Sequence, residues 1–226
     1  MSPIAVNLAA VRARIDAAAR DAGRNPAGIR LIAVSKTHSA AAIRDCIEAG
    51  QRDFGENYLQ EALAKMDALT GESITWHYIG RIQSNKTREL AARFDWVQTV
   101  DRERIARRLS EHRPAGLPPL DVCLQVNIDR EPQKAGVLPE DVAALARLVA
   151  NLPRLRLRGL MAIPRAEPAE SARDAFMRLR EIFETLRGEG LPIDTLSMGM
   201  SGDLDAAVAA GSTMVRIGTA IFGERG

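Results

Sequence analysis

Lys36 follows an uninterrupted apolar run, Leu31-Ile32-Ala33-Val34, and a single serine, with Thr37 and His38 directly after it. Four apolar side chains without alternation read as a strand covered on both faces, as in parallel sheets. A lysine at the carboxyl end of such a strand stands where α/β folds collect their chemistry. Partial desolvation there lowers the pKa of the ammonium and frees an amine that can attack a carbonyl. The competing reading is a lysine that leaves the strand end and points to solvent, as most charged side chains do.

Two later stretches carry the residues of an anion site. Met200-Ser201-Gly202-Asp203 sets a hydroxyl and a glycine before a helical pattern, and Arg216-Ile217-Gly218-Thr219 repeats the glycine–hydroxyl pair at the end of an apolar strand. Free N–H groups at a helix start attract phosphate, and the loops after the last two strands of an eight-stranded barrel are a recurrent phosphate cradle. Ser201 alone is equally an N-cap and Gly218 alone a tight turn. The two together, with Lys36, suggest a phosphorylated aldehyde held as a Schiff base, with pyridoxal 5′-phosphate (PLP) as the leading candidate. An aldolase-like lysine acting on another phosphorylated metabolite is the weaker alternative.

Other polar residues carry less. His77, between Trp76 and Tyr78, reads as a pocket base or as a satisfied core or rim histidine, and His38 as a residue that helps start the next helix. Lys86 and Lys134 read as surface charges, and Asn127 as a residue that orients a loop or a water.

The elements that must position these residues alternate strictly. A leading helix over 5–22 precedes strands at 31–36, 53–57, 76–80, 96–100, 119–128, 155–163, 194–200 and 213–218. Helices are expected over 39–49, 58–69, 83–94, 102–112 (capped by Asp101), 140–151 (opened by Pro139), 170–187 and 203–210, with AIFGERG closing the chain. Eight strand–helix units in 226 residues predict an α/β fold, a single (β/α)8 TIM barrel with an extra N-terminal helix, in one domain over 1–226. The first strand lacks the GxGxxG turn that an open dinucleotide-binding sheet needs.

The totals exclude several classes. With 31 basic and 29 acidic residues the net charge is +2, short of the basic excess that a nucleic-acid surface uses. Cys46 and Cys123 are the two cysteines, with no paired spacing, so packed thiols are expected rather than a disulfide framework or a metal cluster. No segment has the length and apolarity of a membrane span or a secretory leader, and a cytoplasmic chain is expected.

The segments AVSKT (33–37), FGENY (54–58), HYIGRIQSNK (77–86), LSMGMSGD (196–203) and RIGTAIFG (216–223) resemble, in order, the pyridoxal-phosphate homeostasis family, which is related to the N-terminal barrel of alanine racemase. The resemblance covers nearly the whole chain. It implies that Lys36 holds PLP, that Ser201, Gly202, Gly218 and Thr219 bind its phosphate, and that Arg216 faces the pyridine nitrogen. Asn57, His77 and Met198 match positions that line the family's pocket. Arg81 and Ile82 depart from the family's usual loop, and the chain stops at Gly226, a little short of the usual tail. For Arg216 the residue-level alternative is a packed strand arginine paired to an acid.

Two functions follow from the resemblance: a carrier that stores, buffers or delivers PLP, with amino acids and PLP-requiring apoenzymes as partners, or an amino-acid racemase. The related racemases draw a second base, a tyrosine, from an added β-domain of a partner subunit. Here the tyrosines are Tyr58 and Tyr78, and no residues remain for such a domain. A carrier and a monomer are therefore expected, with one cofactor face open.

Overall fold

Residues 2–165 and 169–223 are described by the structure, a computed structural model. The apolar runs become parallel strands that close on themselves. β1 (Arg30–Val34), β2 (Asp53–Glu56), β3 (Thr75–Tyr78), β4 (Trp96–Val100), β5 (Leu120–Gln125), β6 (Leu155–Met161), β7 (Thr195–Ser197) and β8 (Met214–Ile217) form a barrel in sequence order. The closing pair is β1 with β8, in the register Ile32 to Arg216 and Ala33 to Ile217. All five residues of β4 are buried, Gln98 and Thr99 included, as strands covered on both faces in such barrels are.

The helices wrap the barrel: α2 (Ala40–Glu48), α3 (Leu59–Ala68), α4 (Thr87–Arg93), α5 (Glu103–His112), α6 (Val142–Ala150), α7 (Ala169–Gly188) and α8 (Leu204–Ala209). The leading helix α1 (Pro3–Asp21) starts with Pro3 in its first turn and Ser2 accepting from the Ala5 N–H, a pairing that satisfies a helix start. Ser39 caps α2 in the same way through the Ala42 N–H. One large apolar cluster joins the helices to the outside of the barrel. A second, Ile32, Trp96, Cys123, Met161 and Met214, draws on five strands and fills the interior.

Several expected boundaries shift. Strands end two to three residues early at β1, β3, β5, β6 and β7, because the chains diverge into loops at the carboxyl rim and the ladder stops there. Asp101 does not cap α5; its carboxylate pairs with Arg102 instead, which leaves no side-chain cap. Pro139–Asp141 and Ser84–Lys86 form 3-10 turns ahead of α6 and α4. The closing segment contains a short helix, α9 (Thr219–Phe222), and its last three residues lie outside those described. Cys46 and Cys123 are buried free thiols, and burial pushes Cys46 up to about 12.

Candidate functional site

A cavity of about 300 Å³ opens at the carboxyl rim of the barrel, at the small end of the range for ligand pockets. Its wall includes seven of the nine residues expected from the sequence: Lys36, Asn57, Ser201, Gly202, Arg216, Gly218 and Thr219. Val34, Ile79, Ile163 and Met200 add apolar surface, and His38 and Gly223 complete the rim. His38 stacks on Phe222, with ring centroids 4.7 Å apart, so it ties the loop after β1 to α9.

Closure of β8 onto β1 explains why residues 180 positions apart meet. Gly218 packs against Val34, two residues before Lys36; a Cβ on Gly218 would come within 3.2 Å of the Val34 carbonyl oxygen. Asn57 is held just past the end of β2 by a closer approach still. A Cβ on Gly80 would lie 2.0 Å from the Asn57 carbonyl oxygen, so a side chain there would push the wall apart. Gly199, at φ +100, turns the chain out of β7 into the Met200–Gly202 loop. That loop is braced from outside. Arg14 on α1 donates to the Ser201 carbonyl at 2.7 Å and pairs with Asp205 on α8 at 2.6 Å. Asn7, also on α1, donates to the Ile221 carbonyl of α9 at 3.0 Å.

Arg216 is the buried cation of the cavity, 4% exposed. Burial draws it down to about 10, so it still carries its charge at neutral pH. The expected alternative, a strand arginine paired to an acid, is not what its contacts provide. Its guanidinium donates to the Ser197 hydroxyl at 2.7 Å and to the Ala162 carbonyl at 2.9 Å. Ser197 in turn donates to the Gln98 Oε1 at 2.6 Å, and the Gln98 amide meets His77 Nδ1 at 3.0 Å. His77 Nε2 lies 3.0 Å from Asp53. With Gln98 oriented by Ser197, its amide donates to Nδ1, which leaves the proton on Nε2 to face Asp53. The hydrogen bonds thus run in one direction through the barrel, from the cation to a carboxylate.

His77 and Met198 are not in the cavity wall, where they were expected. His77 is fully buried, stacked on Trp96 at 5.4 Å, and burial lowers its pKa so that it stays neutral. Alternation along β3 carries it into the barrel, away from the rim. Met198 is fully buried in the apolar cluster, and Met200 takes the wall position two residues later. Gln98 and Ser197 escaped the sequence reading; their one signal was a polar residue in a strand pattern, Gln98 beside Thr99 in β4 and Ser197 at the end of β7.

Asn127 orients a loop: its side chain donates to the Glu131 carbonyl at 2.8 Å and accepts from the Glu131 N–H at 3.0 Å. Lys134 pairs with Glu131 at 2.6 Å and Lys86 with Glu89 at 3.9 Å. Ile82 is buried and the Arg81 carbonyl accepts from the Tyr78 hydroxyl, so the departing loop is anchored by both. Among the described residues no group of His, Cys, Asp and Glu is arranged to hold a metal, and no helix is long and apolar enough to cross a membrane.

Residues 6–226 match the family described as alanine racemase, N-terminal domain. The chain is 60% identical over its full length to the pyridoxal phosphate homeostasis protein of Pseudomonas aeruginosa, covering 97% of it. It is 54% identical to the protein of the same name in Escherichia coli K12, covering all of this chain and 98% of that one. Among solved structures, PipY of Synechococcus elongatus with PLP bound superposes with a TM-score of 0.86 at 40% identity, over 97% of this chain and 100% of that one.

Proposed function

Since the chain belongs to the alanine racemase N-terminal domain family and, within it, to the pyridoxal phosphate homeostasis proteins, we propose that it holds PLP in this cavity and serves the homeostasis of that cofactor. The observation that carries the reading is that Lys36 shares one wall with Ser201, Gly202, Gly218 and Thr219. An amine and an anion cradle are thus within one small volume. The donor set fits the group: a primary amine, two hydroxyls and a guanidinium. Asn57 adds a buried Oδ1 that has no hydrogen-bond partner among the described residues.

The aldehyde of PLP condenses with a primary amine, expelling water, to give a Schiff base. Lys36 supplies that amine. The Ser201 and Thr219 hydroxyls would donate to the phosphate, and the lack of a Cβ at Gly202 and Gly218 would let backbone approach it. Arg216 would face the ring nitrogen and keep it unprotonated, because a second cation beside a buried guanidinium is repelled. Such a ring is a weaker electron sink, which suits holding a cofactor better than carbanion chemistry. Val34, Ile79 and Met200 exclude water from the apolar side of the pocket.

A carrier role is favoured over a racemase. Stereospecific proton exchange needs bases on both faces of a carbon, and the buried imidazole of His77 is turned away from the cavity and engaged on both nitrogens. The carrier acts as a monomer in the cytoplasm and passes PLP to apoenzymes, with amino acids as competing amines. The test uses purified chain saturated with PLP and passed through gel filtration. A yellow protein that activates a PLP-requiring apoenzyme and does not racemise alanine supports the carrier. Clear alanine racemisation would replace it with the enzyme, and colourless protein would remove the cofactor itself.

A further inference from the structure

Behind the end of β1, an ammonium is buried with two carboxylates. Lys65 on α3, 6% exposed, places its Nζ 2.8 Å from Glu56 Oε1, 2.5 Å from Glu61 Oε1 and 2.7 Å from the Ser35 carbonyl oxygen. A lysine ammonium has three protons, and all three have an acceptor here. The two carboxylates have further contacts. Glu56 accepts from the Ser35 hydroxyl at 2.5 Å, and Glu61 accepts from the Thr37 N–H at 2.5 Å. The cluster therefore grips the carbonyl and hydroxyl of the residue before Lys36 and the amide of the residue after it.

Replacing a buried ion cluster by apolar side chains is often neutral or stabilising, so net stability is a poor account of this one. A conformational account fits better, because the backbone it grips is strained. Thr37 sits at φ +67, a region that a β-branched residue rarely adopts. The Ser35 carbonyl also accepts from the His38 N–H at 3.0 Å, which closes the turn across Lys36. Relaxing Thr37 to an ordinary conformation would swing the peptide that joins it to Lys36 and move the amine along the rim.

We propose that Lys65, Glu61 and Glu56 are positioning residues that clamp the backbone on both sides of Lys36, so that its amine meets the cofactor aldehyde. This rests on Lys36 being the residue that links PLP. The clamp acts on the link and leaves phosphate and ring binding alone. A probe with the ring and phosphate but an alcohol in place of the aldehyde separates the two.

The experiment compares PLP with pyridoxine 5′-phosphate on native chain, Lys65→Met and Glu61→Ala. The Glu61 side chain is 29% exposed on α3 and alanine is a good helix former, so that variant keeps the test alive if Lys65→Met fails to fold. The proposal expects both variants to bind the alcohol within threefold of native. Their PLP dissociation constants should rise at least tenfold, and the absorbance of the covalent link should appear more slowly. Equal losses for the two ligands would reduce the cluster to a scaffold element and overturn the clamp, as would no change in either. A native chain that forms no borohydride-stable link at Lys36 would instead overturn the functional reading, and the clamp's purpose with it.

Discussion

Arg216 keeps its charge where water has little access, and its neighbours explain how. Every proton that the structure assigns a partner goes to a neutral oxygen, of Ser197 or Ala162, so the positive field toward the cavity is not cancelled by a contacting carboxylate. The line of hydrogen bonds ends on Asp53, reached through Ser197, Gln98 and His77, while the carboxylate that acts on Arg216 through space is Asp203. For this line His77 must be neutral, and its buried position lowers its pKa. A histidine depressed in the folded state contributes stability that is present above its unfolded value of about 6.5 and is lost as pH falls below it. Denaturant titrations of native chain should therefore show a steeper loss of stability between pH 7 and pH 5 than His77→Gln; parallel curves would contradict the neutral assignment. On the proposed phosphate cradle, Ser201→Ala with Thr219→Ala would remove two charge-assisted hydrogen bonds, each worth about 1.5–3 kcal/mol. PLP binding should weaken by roughly a hundredfold or more, measured by equilibrium dialysis, and unchanged retention would mean that the phosphate sits elsewhere. That Lys36, Ser201 and Thr219 would line one cavity was legible from sequence because each lies in a segment that follows a strand, beside a telling neighbour. His77 was misplaced because a motif records which residues occur together and says nothing of which way a strand side chain points.

At the scale of elements, α1 is the part with no counterpart in the repeating units. It is tied to both cradle loops, through Arg14 to the Ser201 carbonyl and Asp205 and through Asn7 to α9. The extra helix thus braces both of the segments proposed to share the phosphate. Arg14 is about 40% exposed, so its ion pair is worth up to about 1 kcal/mol. Arg14→Ala should weaken PLP by no more than about fivefold, with the folded content by circular dichroism unchanged. A larger loss would make α1 part of the site and no loss would remove its bracing role. Gly80→Ala is the opposite case: its new Cβ would collide with the Asn57 backbone, and PLP binding and thermal stability should fall together in ligand titration and melting curves. The alternation of strands and helices was readable because buried strands and amphipathic helices have different periods. The brace was not, since Arg14 and Asp205 are 191 positions apart and nothing local links them.

Over the whole molecule, closure of the barrel does the assembling. Pairing of β1 with β8 brings the amine and the cradle together although they lie at opposite ends of the described chain. The Lys65 cluster, invisible in a sequence where Lys65 looks like any helix lysine, then grips the strand end that carries the amine. The central claim is that this amine takes the aldehyde of PLP, and the direct measurement is borohydride reduction of the PLP-saturated chain followed by peptide mass spectrometry. The account predicts a pyridoxyl phosphate adduct on the peptide containing Lys36, absent from Lys36→Ala. An adduct confined to Lys65, Lys86 or Lys134, or one that persists unchanged in Lys36→Ala, would contradict it.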